Sequence, residues 1–183
     1  MNYRIFYFFL FSLLFISCFG KKTTDLDTTR DPRDFNSEGR LKTNLYYKNW
    51  SGHKPEHLRK ALEHLKGEGE CKRIIYLAGD SSLDNKHWIF GSLDKARSDS
   101  YKENKTCSKA LKAYENFLTP PYMPRDVNYW IGKSLEAIET DEKVCSLMTA
   151  VEASTLMKDG KLRSEPQDRF IRKNIQDDDY LIV

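Results

Sequence analysis

The chain has 183 residues, of which 39% are apolar and 31% charged, a composition typical of one ordinary globular domain. Its formal net charge is +3, and no basic run is longer than Lys21-Lys22. Because the charges are interspersed, the sequence lacks the basic patch of a nucleic-acid-binding protein, and we expect no nucleic-acid partner.

The N-terminus has the pattern of an export signal. Met1 to Arg4 carries one positive charge, and Ile5 to Phe19 is almost wholly apolar. This run is short for a membrane span, which needs about 20 residues, but it fits the apolar core of a secretory signal peptide. We therefore expect residues 1–20 to be a signal peptide cleaved near Gly20, and the mature protein to be secreted.

Two alternatives would leave the protein attached to a membrane. An uncleaved N-terminal segment would act as a signal anchor. The residues Phe15-Ile16-Ser17-Cys18 resemble a bacterial lipobox with Phe where Leu is usual, and Cys18 would then be the lipidated N-terminus. A membrane partner is expected only in these two cases.

Export places the remaining cysteines in an oxidising compartment. Cys71, Cys107 and Cys145 are an odd number, which allows one disulfide and one free thiol, and the sequence leaves the pairing open. The chain has no Cys-x-x-Cys pair, so a zinc ribbon or thioredoxin-type site is unsupported. Glycosylation sequons at Asn49 and Asn104 would be usable in a eukaryotic host.

The first half of the mature chain predicts an arm, a helix, a strand and a second helix. Residues 21–53 are expected to be a flexible arm, because this stretch is polar and lacks periodicity. Pro55 to Lys66 predicts a helix, since proline suits the first turn and Gly67 follows the last. Arg73 to Ala78 is apolar on both faces, as in a central parallel strand. The next helix is expected to begin at Ser82, and a charged loop follows over residues 95–105.

The second half predicts alternating helices and strands. The predicted elements are a helix from Thr106 to Leu118, an extended segment from Thr119 to Pro124, a helix from Arg125 to Ala137 with Val127, Trp130, Ile131 and Leu135 inward, a strand from Lys143 to Val151, a helix from Pro166 to Asn174, and a third buried strand from Tyr180 to Val183. This alternation predicts an α/β fold with a parallel sheet and right-handed crossovers.

The first predicted strand ends in Gly79-Asp80-Ser81, which places a serine hydroxyl at the carboxyl end of a buried strand. Ligands and chemistry in open α/β sheets usually lie there, beside the free N–H groups of a helix N-terminus. A serine hydroxyl needs an adjacent base to act as a nucleophile. The tetrahedral oxyanion that it forms needs fixed N–H donors, and a strand-to-helix turn supplies both the hydroxyl and such donors.

The turn Gly79-Asp80-Ser81-x-x-Asp84 resembles block I of the SGNH (GDSL-type) hydrolases. The resemblance implies a flavodoxin-like three-layer fold with a parallel sheet. It also implies cofactor-free hydrolysis of ester or acylated small-molecule substrates. Ser81 would be the nucleophile and its N–H an oxyanion donor, with Gly79, Asp80, Asp84 and Asn85 supporting the site.

Residues 150–156 resemble the second block of that family, with alanine where glycine is usual. Ala150 would supply another oxyanion donor if its backbone does not require a positive φ. The insertion between Ser81 and Ala150 is rich in aromatic residues and proline, and we favour core packing over a lid for it. The resemblance covers residues 72–183 and makes 54–183 the N-terminal part of such a domain. The family's Gly-x-Asn-Asp and C-terminal Asp-x-x-His blocks are missing, so we expect a truncated, inactive form.

No histidine is well placed as the missing base. Asp84-Asn85-Lys86-His87 is formally Asp-x-x-His, but six residues beyond Ser81 is almost two helical turns. His53, His57 and His64 are expected on or near a solvated helix face. Since no third ligand of suitable spacing accompanies His57 and His64, we expect no metal site.

A second hypothesis is a non-catalytic secreted or membrane-anchored pseudoenzyme or interaction protein. Leu181 to Val183 would form a hydrophobic sheet edge, which favours aggregation unless another chain covers it, so this hypothesis predicts a partner or dimer. A nucleotide-binding half-domain is disfavoured, because both the P-loop and the Gly-x-Gly-x-x-Gly fingerprint are missing.

Overall fold

The computed structural model describes residues 31–90, 104–138, 142–155, 157–158 and 160–183. The predictions for the signal peptide and for most of the charged loop lie outside these residues. In chain order the elements are a 3₁₀ turn at Pro32–Asp34, β1 (Leu41–Lys42), α1 (Thr43–Tyr46), α2 (Pro55–Lys66), β2 (Arg73–Leu77), α3 (Lys86–Phe90), β3 (Cys107–Lys109), α4 (Lys112–Glu115), β4 (Leu118–Thr119), β5 (Tyr122–Pro124), α5 (Val127–Ala137), β6 (Val144–Met148), β7 (Met157–Lys158), β8 (Lys161–Leu162), α6 (Pro166–Asn174) and β9 (Tyr180–Ile182).

A three-stranded parallel sheet positions the serine turn, with the strand order β6-β2-β9. Leu77, at the end of β2, lies opposite Met148 on one side and Ile182 on the other. The prediction of a central parallel strand is confirmed. Its run of apolar residues is explained by this position, because both faces of β2 are covered.

Helices cover both faces of the sheet. On one face, Ile74 and Tyr76 join the large core that α2 and α6 help to build. On the other face, Leu77 and Met148 pack against α5 through its partly buried apolar side chains. The predicted bounds of α2 and α6 are confirmed, and in each helix a proline occupies the first turn.

The third strand corrects a prediction. The sequence predicts a buried strand here, but the side chains of Tyr180, Leu181 and Ile182 are 40–49% exposed. The reason is position, because β9 lies at the edge of the sheet and pairs only with β2 among the described strands. An apolar run alone does not distinguish a central strand from an edge strand.

The described part of the predicted arm packs into the core. β1 pairs in parallel with β4, and Leu41, Tyr46 and Tyr47 are each at most 2% exposed. The composition of this stretch predicts a flexible arm, but its aromatic side chains are buried and fix it to the core.

The helix predicted from Thr106 to Leu118 is wrong. β3 pairs antiparallel with β5, and only the single turn α4 is helical. The side chain of Asn104 accepts from both the N–H and the hydroxyl of Thr106, at 3.0 and 2.7 Å. Such local side-chain bonds compete with helix formation, and here they precede a strand.

The helix α5 begins at Val127, two residues after its predicted start, and Val127, Ile131 and Leu135 are partly buried on the predicted inward face. Its N-cap Asp126 accepts from the N–H of Tyr129 at 2.8 Å. Trp130, predicted to be inward, is 55% exposed. The buried residues are Asn128, Tyr129 and Gly132, because α5 approaches so closely at Gly132 that a Cβ atom there would lie 2.3 Å from Leu111 Cδ1.

One disulfide joins Cys71, just before β2, to Cys145 in β6, with 5.8 Å between the Cα atoms. This settles the pairing that the sequence leaves open. Cys107 is the free thiol, and burial raises its pKa to about 11. Within the described ranges, no helix is long and apolar enough to span a membrane.

Candidate active site

The serine turn is a tight turn and not the start of a helix. The Asp80 carboxylate accepts from the N–H of Ser82 at 2.9 Å, and the Asp80 carbonyl accepts from Leu83 and Asp84 at 3.1 and 2.9 Å. The bond from Ser82 lowers the pKa of Asp80. Because this Asx turn uses the N–H groups that follow Ser81, α3 begins only at Lys86, and the prediction of a helix from Ser82 is corrected.

Ser81 lies just beyond the carboxyl end of β2 and is half-buried. Neither its N–H nor its hydroxyl forms a hydrogen bond to another described residue. Both groups are therefore free to contact a ligand.

Ala150 lies next to this turn at the end of β6. The flanking N–H groups continue the parallel ladder, with Thr149 donating to Leu77 at 2.9 Å and Val151 donating to Gly79 at 3.0 Å. Ala150 itself is fully buried, its φ is not positive, and its N–H has no partner among the described residues. Because the N–H groups of Thr149 and Val151 both face β2, the N–H of Ala150 between them faces the other side of β6, away from Ser81.

Gly79 is constrained by close approach. A Cβ atom at this position would lie 3.0 Å from Leu83 Cδ1. The Gly79 carbonyl also accepts from Ser154 Oγ at 3.2 Å and from Arg163 Nη1 at 2.7 Å. Arg163 is held in turn by Asp168 at 2.7 Å. Sequence reasoning missed this support, because nothing near Arg163 in the chain signals its contact with Gly79.

Asp84 joins three segments of the chain. Its side chain is 1% exposed, and Oδ2 accepts from the N–H groups of Gly52 and Glu152 at 2.6 and 3.0 Å. Its Oδ1 accepts from the buried ammonium of Lys86. The carboxylate thus fixes the serine turn against the loop after β6. Its partner is Lys86 and not His87, so Asp84 and His87 do not form an Asp–His pair.

A second buried carboxyl lies near this ion pair. Asp126 is 3% exposed, and burial raises its pKa to about 7, with the negative charge of Asp84 adding to the rise and Lys86 opposing it. No role is predicted for Asp126 from the sequence. The proximity of Asp84, Lys86 and Asp126 is long-range and has no local sequence signal.

The histidines at α2 are structural. His53 Nδ1 donates to the Tyr46 carbonyl at 2.8 Å, and His57 Nε2 lies 2.9 Å from Asp34. Both rings are at most 1% exposed, so the prediction of a solvated face is wrong for them. Burial lowers the pKa of His53 and of His57, which favours the neutral rings. His64 is half-buried beside Phe117.

His87 lies between two tryptophans on the rim of the site. Its ring centroid is 6.2 Å from that of Trp50 and 5.8 Å from that of Trp88. Trp50 and Trp88 are 45% and 70% exposed, and Trp88 Nε1 donates to Glu152 at 3.2 Å. All four histidines of the chain are described, and none forms a hydrogen bond to Ser81.

Asn85 connects the turn to α3. Its N–H donates to Leu83 and its carbonyl accepts from Ile89, while its buried Oδ1 has no partner among the described residues. Within those residues, no group of three His, Cys, Asp or Glu side chains could hold a metal ion. No protein-family model, curated protein or solved structure matches the chain.

Proposed function

We propose that this chain is the nucleophile-bearing part of a secreted SGNH-type serine hydrolase acting on ester bonds. The observation that carries the proposal is the position of Ser81, in a tight turn after the central parallel strand and with a free hydroxyl. The unpaired N–H of Ser81 lies at the same end of the sheet and can serve as an oxyanion donor.

The arrangement of the sheet supports this proposal. Of the three strands of this sheet, β2 comes first in the chain and lies in the centre between β6 and β9, which is how a flavodoxin-like doubly wound sheet begins. Helices on both faces agree with a three-layer fold of that type. In such sheets ligands bind outside the carboxyl ends of the strands, which is where Ser81 lies.

In the proposed reaction, the Ser81 hydroxyl attacks the ester carbonyl and gives its proton to a general base. The tetrahedral oxyanion accepts a hydrogen bond from the N–H of Ser81 until the alcohol leaves. Water then hydrolyses the acyl-serine. Asp84 is not the base, because both its oxygens are occupied, and no described histidine contacts Ser81. The base is therefore expected outside the described residues.

The test is ester hydrolysis by the protein made from the complete transcript. Sequencing that transcript past the codon for Val183 shows whether Gly-x-Asn-Asp and Asp-x-x-His blocks follow. If they do, Ser81→Ala should lower kcat/KM for short p-nitrophenyl esters by at least about a hundredfold. Ser82→Ala is the matched control, because Ser82 is exposed and alanine keeps the N–H that bonds to the Asp80 carboxylate. Equal activity of Ser81→Ala and the unmodified protein would refute the role of Ser81.

A second candidate is a non-catalytic secreted or membrane-anchored interaction protein. It is favoured by the exposed edge of β9 and by the lack of a general base beside Ser81 among the described residues. A second chain could pair with β9 and cover its apolar side chains. Gel filtration with light scattering tests this, because a well-folded monomer at micromolar concentration would count against it.

The disulfide between Cys71 and Cys145 supports a location outside the cytosol, since disulfides persist in oxidising compartments. The intact mass of the mature protein shows how its N-terminus is processed. Loss of residues 1–20 indicates secretion, an intact N-terminus indicates an anchor, and a lipid mass on Cys18 indicates a lipoprotein.

A further inference from the structure

An apolar cavity of about 480 Å³ lies between α4, α5 and the amino end of β6. Its apolar walls include Leu111, Tyr114, Gly132, Leu135, Ile138 and Val144. The volume is within the range of roughly 300–1,000 Å³ that is typical of small-molecule sites.

The polar groups inside this cavity are already satisfied. The Tyr114 hydroxyl donates to the Ser146 carbonyl at 2.7 Å, and Ser146 Oγ donates to the Asn128 carbonyl at 3.3 Å. A ligand inside therefore needs no hydrogen-bonding groups, and an apolar chain would be favoured because it removes apolar walls from water.

Two exposed lysine side chains lie at the rim of the cavity. Lys112 and Lys143 line it and are exposed, and neither ammonium has a carboxylate within ion-pair distance among the described residues. The carboxylate at the rim, Glu136, is already occupied by the N–H of Lys112 at 2.6 Å and by Lys133 at 3.4 Å. The rim thus complements a single anionic head group.

We propose that this cavity binds one long-chain fatty carboxylate, with its alkyl chain between α4, α5 and β6 and its carboxylate at Lys112 and Lys143. The site is separate from Ser81 and does not depend on the proposed hydrolase function. Val144 lines the cavity, whereas Ala150 is six residues further along the chain, a strand length of about 20 Å at 3.3 Å per residue.

The test is a fluorescence titration of the protein with cis-parinaric acid. We expect saturable binding of one molecule per chain. Leu135→Trp fills the cavity and should weaken binding by more than about tenfold. Leu162→Trp is the matched control, because Leu162 is 71% exposed and outside the cavity, and it should bind as the unmodified protein does. Non-saturable binding, or unchanged binding by Leu135→Trp, would overturn the proposal.

The rim charges are tested separately, with variants that do not disturb the core. Lys112→Ala combined with Lys143→Ala should weaken binding of the acid by about three- to tenfold at low salt. The same pair should leave binding of methyl parinarate unchanged. Lys48→Ala with Lys161→Ala removes two exposed lysines that do not line the cavity and should have no effect. If the lysine variants bind the acid as tightly as the unmodified protein does, the assignment of a carboxylate ligand is wrong.

Discussion

Replacing Asp84 by asparagine should strongly destabilise the protein. An asparagine oxygen in place of Oδ2 still accepts from Gly52 and Glu152, so the backbone contacts survive. Its amide nitrogen, however, would face the Lys86 ammonium, whose side chain is 2% exposed and would lose its counter-charge. Removing one partner of a buried ion pair costs about 3–5 kcal/mol, a large share of a typical unfolding free energy of roughly 5–15 kcal/mol.

The assay is urea unfolding followed by circular dichroism, on Asp84→Asn, Lys86→Met and the double variant. Because the double variant removes both charges, its loss should be several kcal/mol smaller than the sum of the single losses. Lys109→Met is the control, since the pair of Lys109 with Glu115 is exposed and should contribute less than about 1 kcal/mol. A loss below about 1 kcal/mol for Asp84→Asn, or additive losses in the cycle, would refute the reasoning.

Two further predictions concern stability. The folded state holds a proton on Asp126 up to about pH 7, whereas the unfolded state releases it near its ordinary pKa of 3.8. This group therefore favours folding at low pH, and its contribution is lost as the pH rises from about 4 to 7. The Asp126→Asn variant keeps the helix cap but does not titrate at this position. The unfolding free energy of the variant, minus that of the unmodified protein, should therefore increase between pH 5 and pH 8. A constant difference would show that Asp126 does not titrate in this window. Separately, replacing Cys71 and Cys145 by alanine opens a loop with a sequence separation of 74 and should cost roughly 3–5 kcal/mol, measured by urea unfolding. A loss below about 1 kcal/mol would contradict this.

The parts of the fold that the sequence predicts well have strong local signals. Pro55 and Gly67 bound α2, Pro166 starts α6, and the apolar run of β2 indicates its central place. The failures occur where contacts distant in sequence decide the structure. Thr106 follows the turn at Asn104 and leads into β3, which pairs antiparallel with β5. The apolar periodicity of residues 106–118 therefore predicts a helix where the structure has a strand and a single helical turn.

The candidate site was predictable in part for the same reason. Ser81 and Ala150 follow strands that the sequence marks, and adjacent parallel strands bring their ends together. Asp126 lies near Asp84 and Lys86 because of how α5 packs on the sheet. No local sequence pattern predicts this packing. His57 is buried because Asp34, distant in the chain, supplies its partner.

The central claim is that Ser81 is a hydrolase nucleophile. The most direct measurement is the reaction of the protein from the complete transcript with a fluorophosphonate probe, with the labelled residue located by peptide mass spectrometry. The account predicts one phosphonylated residue, Ser81, with labelling lost in Ser81→Ala and kept in Ser82→Ala. No labelling, or labelling that survives in Ser81→Ala, would contradict it.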